Sequence, residues 1–302
     1  MRLDQCLAEI FPDYSRSKLQ TWIKGGRVLV DGEPMKGREK LDGGEEIELD
    51  AEAERVIEEV PEDIPLDIVY EDDALLIVNK PAGLVVHPAV GNWSGTLVNA
   101  LLHHAPELAT LPRAGIVHRI DKDTSGLLMI AKTLQAHNSL VEQLQERSIE
   151  REYLALVKGW MTAGGTVNAP IGRHPVDRKR NAVRRDGKEA ITHYRLEQRF
   201  KRHTLIRVKL ETGRTHQIRV HMAHINYPLV GDPVYGGRFQ MPAECNPALA
   251  EALRNFKRQA LHAAKLGLMH PETGEYCEWT QPMPDDMTQL IALLAANELD
   301  QA

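Results

Sequence analysis

The sequence predicts an α+β protein in two parts: a small helix–helix–hairpin unit, then a larger domain on a mixed, largely antiparallel sheet. Short strand-like apolar runs outnumber helical patterns and follow one another as neighbours, without the strand–helix alternation of a doubly wound sheet. An acidic stretch from about Asp50 to Asp67, carrying Pro61 and Pro65 and few apolar residues, reads as a linker. At 302 residues, 42% hydrophobic and 26% charged, the chain is long enough for about two domains and apolar enough for a core. The expected boundaries are residues 1–60, with the linker reaching about 67, and residues 68–302.

In the first unit, Leu3, Leu7 and Ile10 share a helical face. Ser15 is the expected N-cap of a second helix, with Leu19, Trp22 and Ile23 on one side and Gly25-Gly26 as its stop. Val28–Val30 is a strand, Asp31-Gly32 a hairpin turn signal, and Ile47–Leu49 a returning strand after Gly43-Gly44. In the larger part, strands are expected at 74–78, 115–117, 127–131, 153–157 and 203–210. Helices are expected at 97–103, 134–145, 215–225 and 287–298.

Several function classes are excluded or disfavoured by composition. No run of about 18 apolar residues exists to span a membrane. The start, Met1 to Cys6, carries an early acid and no apolar core with a cleavage site, so no secretory leader is expected. Cys6, Cys245 and Cys277 are odd in number and widely spaced, as fits a reducing cytoplasm. His216, His221 and His224 lack the spacing and the extra ligand of a metal site, and no metal is expected. The net charge of −6 hides a strong segregation. Between Glu45 and Asp73 stand 14 acids and one base, whereas Arg113 to Arg219 holds 22 bases against 11 acids. A basic middle can meet a polyanion, although a solvated charged face is the commoner meaning of such a run.

The chemistry gathers in one loop. Between apolar runs lie His118, Arg119, Asp121, Lys122, Asp123, Thr124 and Ser125, closed by Gly126. An aspartate flanked by cations stays ionised and can serve as nucleophile or base. The same pattern also fits a salt-bridged turn, and the residues alone leave both readings open.

Gly115-Ile116-Val117-His118-Arg119-Ile120-Asp121, followed by Thr124-Ser125-Gly126, resembles the signature loop of the RluA family of pseudouridine synthases, with Ile120 where the family usually has Leu. The likeness extends to Asn79–Pro88, Arg151-Glu152-Tyr153, Gly187-Lys188, Glu211–His221, Gly231–Gly236, Gln259–Ala263 and His270–Gly274. Ahead of it, Ser15–Lys18 and Trp22–Gly32 resemble the S4 domain, an RNA-binding module. The resemblance implies isomerisation of uridine in RNA on a flipped-out nucleotide, with no cofactor or metal. It makes Asp121 the nucleophile, at C1′ of the sugar or C6 of the base. Tyr153 would stack on the uracil and Arg219 would pair with the nucleophile. Arg119 would fill the gap left by the flipped base, beside His118. It offers Arg16, Lys18, Lys24 and Arg27 to phosphates from the S4 module. Lys188 would join them within the basic group Arg173, Arg178, Lys179, Arg180, Arg184 and Arg185.

The domain order is similar to the type that modifies closely spaced uridines in the helix 69 stem-loop of 23S ribosomal RNA. The expected partner is that RNA, free or in an assembling large subunit, and the expected state is a cytoplasmic monomer. Other 23S or tRNA uridines are alternative targets. A non-catalytic ribosome-assembly protein and a base-excising glycosylase remain rival classes, the latter predicting free uracil as product.

Overall fold

The computed structural model describes residues 1–11, 16–50, 60–88, 92–177, 180–242 and 245–299, without the side chains of 16–18 and 299; counts and absences below refer to these. The chain divides into two compact units, Met1–Glu58 and Glu59–Ala302.

The first unit contains α1 (Leu3–Ile10), α2 (Arg16–Lys24), β1 (Val28–Val30), β2 (Glu33–Pro34) and β3 (Ile47–Leu49). Asp31 and Gly32, at φ 51° and 82°, make the left-handed turn that lets β1 pair with β2, and β3 adds to the other edge of β1. Leu3, Leu7, Leu19, Trp22, Ile23, Val28 and Val30 form its core. Ile10 departs from the expected face: it is the last residue of α1, where the chain turns off at Phe11, and it is 53% exposed. The expected cap Ser15 and residues 51–59 of the acidic linker lie outside the described residues.

The second unit opens with β4 (Ile68–Glu71), β5 (Leu75–Lys80), α3 (Leu97–His104), β6 (Ser125–Ala131), α4 (Leu134–Glu146) and β7 (Glu150–Lys158). It continues through β8 (Gly165–Asn168), β9 (Ile171–Arg173), β10 (Asn181–Val183), β11 (Ile191–Phe200), β12 (His203–Leu210) and α5 (Gln217–His224). It ends with α6 (Pro247–Asn255), β13 (Leu261–Met269), β14 (Tyr276–Thr280) and α7 (Asp285–Leu299). The main sheet runs β4-β5-β6-β13-β7-β12-β11-β8, with β14 also on β13, while β9 and β10 form a separate hairpin. Among these pairings β6 with β13 is parallel and the rest are antiparallel, the mixed sheet expected.

Alternation along the strands sorts side chains to two faces. Leu76, Val78, Leu128, Ile130, Tyr153, Ala155, Ile206 and Val208 pack with Leu97 and Leu101 of α3 and Ile218 and Met222 of α5. Leu75, Ile77, Leu127 and Met129 face the other way, onto Ala136 and Leu140 of α4. The central strands carry apolar residues on both faces, which is why they read as unbroken apolar runs.

The strand expected at 115–117 is not formed. Arg113, Ala114 and Gly115 have φ of 53°, 49° and 77°, and three successive left-handed residues cannot belong to an extended ladder. Ile116 makes a single bridge to Ile130, and the segment then runs irregularly to β6. The loop is thus held by one strand, not two. Gly126, the second residue of β6, has φ 111°, and a Cβ there would stand 2.2 Å from the Ala263 carbonyl oxygen of β13. Gly126→Ala should cost at least about 2 kcal/mol in urea unfolding, from left-handed strain and a backbone collision.

Candidate active site

The irregular segment brings Asp121 to the mouth of β6, opposite the first turn of α5. Asp121 Oδ2 accepts a 2.9 Å hydrogen bond from Arg219 Nη1, and the Asp121 side chain keeps 17% of its surface exposed. Arg219 is itself immobilised. Its Nε and Nη2 donate to Asp232 Oδ2 and Oδ1 at 2.7 and 3.0 Å, a bidentate pair with a fully buried carboxylate. Asp232 Oδ1 also accepts from the backbone N–H groups of Val234 and Tyr235. Burial alone would raise the Asp232 pKa, but Arg219 and the two N–H donors outweigh it and hold the carboxyl below its usual range. Burial likewise opposes the Arg219 charge, and the two carboxylates more than restore it. One guanidinium therefore carries a fixed point of attachment on one side and an accessible carboxylate on the other.

Two further side chains meet this centre. His216, at φ 58°, starts α5 later than the expected residue 215, because a left-handed residue cannot be helical. Its Nδ1 lies 2.8 Å from the Tyr235 hydroxyl, and its Nε2 lies 3.9 Å from Asp121 Oδ1. The Tyr235 hydroxyl accepts from the Asn181 N–H, while its ring lies 5.1 Å from the Arg219 guanidinium. The hairpin β9–β10 is tied in this way to the aspartate's support.

Lys80, ending the apolar run of β5, is 1% exposed and donates to the carbonyls of Pro81, Leu84 and Lys122 at 2.7, 2.9 and 2.8 Å. Burial pulls its pKa down to about 7, although three carbonyl acceptors are what an ammonium with three protons satisfies. The bond to Lys122 fixes the residue after Asp121.

A cavity of about 570 Å³ opens beside Asp121, with Tyr153, His118, His216 and Arg219 in its wall. Arg113, Arg119, Arg147, Arg151 and Arg214 also line it, making the wall strongly cationic. Tyr153 is 6% exposed on β7, and burial pushes its hydroxyl pKa up, so it is a neutral phenol near neutral pH. Ile218 and Leu261 add apolar surface around it. A flat, neutral ring, an ionised carboxylate and a cationic rim can together hold a planar base joined to an anionic backbone.

The structure thus gathers Asp121, Tyr153, Arg219, His118 and Arg119 at one cavity. Arg119 is exposed at the rim. His118 also has a scaffolding contact: its Nε2 accepts from the Met129 N–H at 3.1 Å, tying the loop to β6. Burial lowers its pKa from 6.5 to about 3, and an accepting ring nitrogen requires the neutral form. An unfolded imidazole takes up its proton near pH 6.5 and the folded one only near 3, so acid favours unfolding across that window. Stability should fall as pH drops from 6.5 toward 3, and His118→Gln should flatten that part of the profile in urea titrations at successive pH values.

Other candidates lie elsewhere. Lys188 is exposed at the base of the β9–β10 hairpin, where its backbone bridges Ile171. Arg184 is engaged with Asp186, and Arg178 and Lys179 lie outside the described residues. In the first unit Lys24 is exposed and Arg27 half-buried, while the side chains of Arg16 and Lys18 are outside the described set. His221 bonds the Thr192 hydroxyl and the Ala169 carbonyl, and His224 is exposed, so the three helix histidines serve separate surroundings. Asp232 and Lys80 received no role from sequence reasoning. Their signal was a charge inside a Gly-Asp-Pro turn and a charge ending an apolar strand.

Comparison with known proteins finds relatives for both units of the chain. A family model described as RNA pseudouridylate synthase matches residues 74–224, and the S4 domain model matches residues 1–47. The chain is 57% identical over 293 residues to ribosomal large subunit pseudouridine synthase D of Pseudomonas aeruginosa, covering 97% of this chain and 92% of that protein. It is 57% identical over 297 residues to the protein of the same name from Escherichia coli K12, covering 98% and 91%. In three dimensions it is similar to human RNA pseudouridylate synthase domain containing 4, with a TM-score of 0.59 and 22% identity over 76% of this chain and 92% of that one, which speaks to the fold.

Proposed function

Because the chain belongs to the RNA pseudouridylate synthase family and is an RNA pseudouridine synthase, we propose that it isomerises uridines of 23S ribosomal RNA, foremost the closely spaced ones of the helix 69 stem-loop, with Asp121 as nucleophile. The observation that carries the catalytic part is Asp121 on a buried Arg219–Asp232 pair, open to a cavity that Tyr153 lines. The RNA target is supported by relatives at 57% identity named for the ribosomal large subunit.

In this reading the target nucleotide leaves its stack and its uracil lies against Tyr153. Arg119, at the rim, occupies the place vacated in the RNA, beside His118. Arg219 holds Asp121 by Oδ2 and leaves Oδ1 toward the cavity, 3.9 Å from His216. The carboxylate attacks C1′ or C6, the N1–C1′ bond breaks, and the base turns. The C5–C1′ bond then forms, the bond to Asp121 breaks and returns the free carboxylate, C5 loses its proton and N1 gains one. The product is an isomer of the reactant, with the C5 proton exchanged for one on N1, so the chemistry calls for no external oxidant, reductant or group donor. The enzyme works as a cytoplasmic monomer with free or assembling large-subunit RNA.

Arg16, Lys18, Lys24 and Arg27 of the S4 unit and Lys188 of the hairpin hold the RNA backbone. Replacing Lys24 and Arg27 together by Ala should weaken binding across sequences and lower the slope of log affinity against log salt by roughly one to two. An unchanged slope would exclude these side chains from phosphate contact.

The target is tested by mapping pseudouridine in ribosomal RNA from cells lacking this protein. Loss at the helix 69 uridines, restored by wild type but not by Asp121→Asn, is expected. Loss only at other 23S or tRNA positions would reassign the substrate.

A further inference from the structure

Arg151 stands apart from the other buried charges of the molecule. It is 7% exposed, on β7 two residues before Tyr153 and therefore on the same face of the strand, and it lines the same cavity. Buried guanidinium groups are ordinarily matched by carboxylates, as Arg219 is by Asp121 and Asp232. Arg151 has no such match among the described residues. Its Nε is buried without a hydrogen-bond partner, and its Nη2 makes one long contact, 3.5 Å, to the Glu211 carbonyl. Burial lowers its pKa, and the opposing effect comes from the Tyr153 phenol, not from a carboxylate. Nη1 lies against Gly213: a Cβ added there would sit 2.9 Å from it. The absent side chain at Gly213 gives the guanidinium its room.

An uncompensated buried cation costs stability, and the charge that would offset it must come from outside the described residues. Building on the synthase reading, we propose that Arg151 is a substrate-binding residue that receives a phosphodiester oxyanion of the target nucleotide as it enters the cavity. Phosphates carry the formal charges of RNA, whereas uracil presents only neutral carbonyls, and the guanidinium fork matches two non-bridging oxygens. The exposed arginines at the rim meet backbone in water. Arg151 meets it where water is excluded, so one contact there has a larger and more local effect.

The test uses the full-length protein and a 23S stem-loop carrying 5-tritiated target uridine, with methylphosphonate linkages placed one at a time around that uridine. Arg151→Met keeps bulk and removes charge. It should leave Tm at or above wild type while weakening RNA binding and kcat/KM roughly 10- to 100-fold. Neutralising one particular phosphate should weaken wild type by a similar factor and add nothing further in the variant. Gly213→Ala, at a position outside the left-handed region, displaces the guanidinium without deleting it and should give a smaller loss coupled to the same phosphate. The proposal is overturned if losses from the variant and from every flanking phosphate simply multiply. Coupling instead to 4-thiouridine at the target, or a lowered Tm with intact RNA binding, also overturns it. A wild type that binds the RNA but releases no tritium would remove the synthase reading, while the binding arm still decides the phosphate contact.

Discussion

Asp121→Ala should lower single-turnover isomerisation by about ten-thousand-fold or more, the scale seen when a covalent nucleophile is removed. Binding of the same RNA should change little. Among the described residues the Asp121 side chain accepts one hydrogen bond, from Arg219, and that guanidinium keeps its bidentate partner Asp232 when Asp121 is gone. The folded state therefore survives the substitution, and melting temperature and filter binding check that it does. A variant that unfolds would mark the aspartate as a structural group. One that retains turnover would exclude it as nucleophile.

Arg219→Leu should be damaging in a different way. It strands the fully buried Asp232 carboxylate, which loses both charge-assisted bonds and keeps the two backbone N–H donors. Removing one member of a buried ion pair costs about 3–5 kcal/mol, a large share of the stability of an ordinary domain. Activity should fall as well, because Asp121 loses the donor that aims it. The two effects separate in the double variant Arg219→Leu/Asp232→Leu. Urea unfolding should recover most of the lost stability once neither charge is buried alone, whereas turnover should stay low. Recovery of both would reduce Arg219 to a packing role.

The two-part architecture was legible because its signals are local. The Asp31-Gly32 turn, the Leu19–Trp22–Ile23 stripe and the apolar run 127–131 each specify an element without reference to the rest of the chain. Where backbone conformation depends on distant partners, the reading failed. Ile116 and Val117 look like strand residues, yet the left-handed backbone at 113–115, with Gly115 pressed against Ala131, keeps them out of the ladder. In the second unit, strands β4, β8, β9, β10, β11, β13 and β14 were not anticipated. For β11 the burial pattern shows why: along Arg195–Arg199 it turns charged and polar side chains to solvent, so the apolar run that marks a buried strand is absent.

The site divides the same way. Asp121, Tyr153 and Arg219 could be picked out from motif residues, but pattern could not show what holds them. Asp232 supports Arg219 from 13 residues away in sequence, and Lys80 reaches the Lys122 carbonyl across 42. Neither contact leaves a periodic trace. The uncompensated charge on Arg151 is invisible for the same reason: an arginine at the start of a strand looks the same whether or not a carboxylate lies beside it.

The most direct measurement is tritium release from ribosomal RNA labelled at C5 of uridine, with the nucleoside products resolved alongside. Wild type should release one tritium for each pseudouridine formed, with no free uracil, and Asp121→Ala at equal RNA occupancy should release none above background. Release that persists in Asp121→Ala would contradict a reaction carried by this aspartate. Free uracil in place of pseudouridine would contradict isomerisation itself.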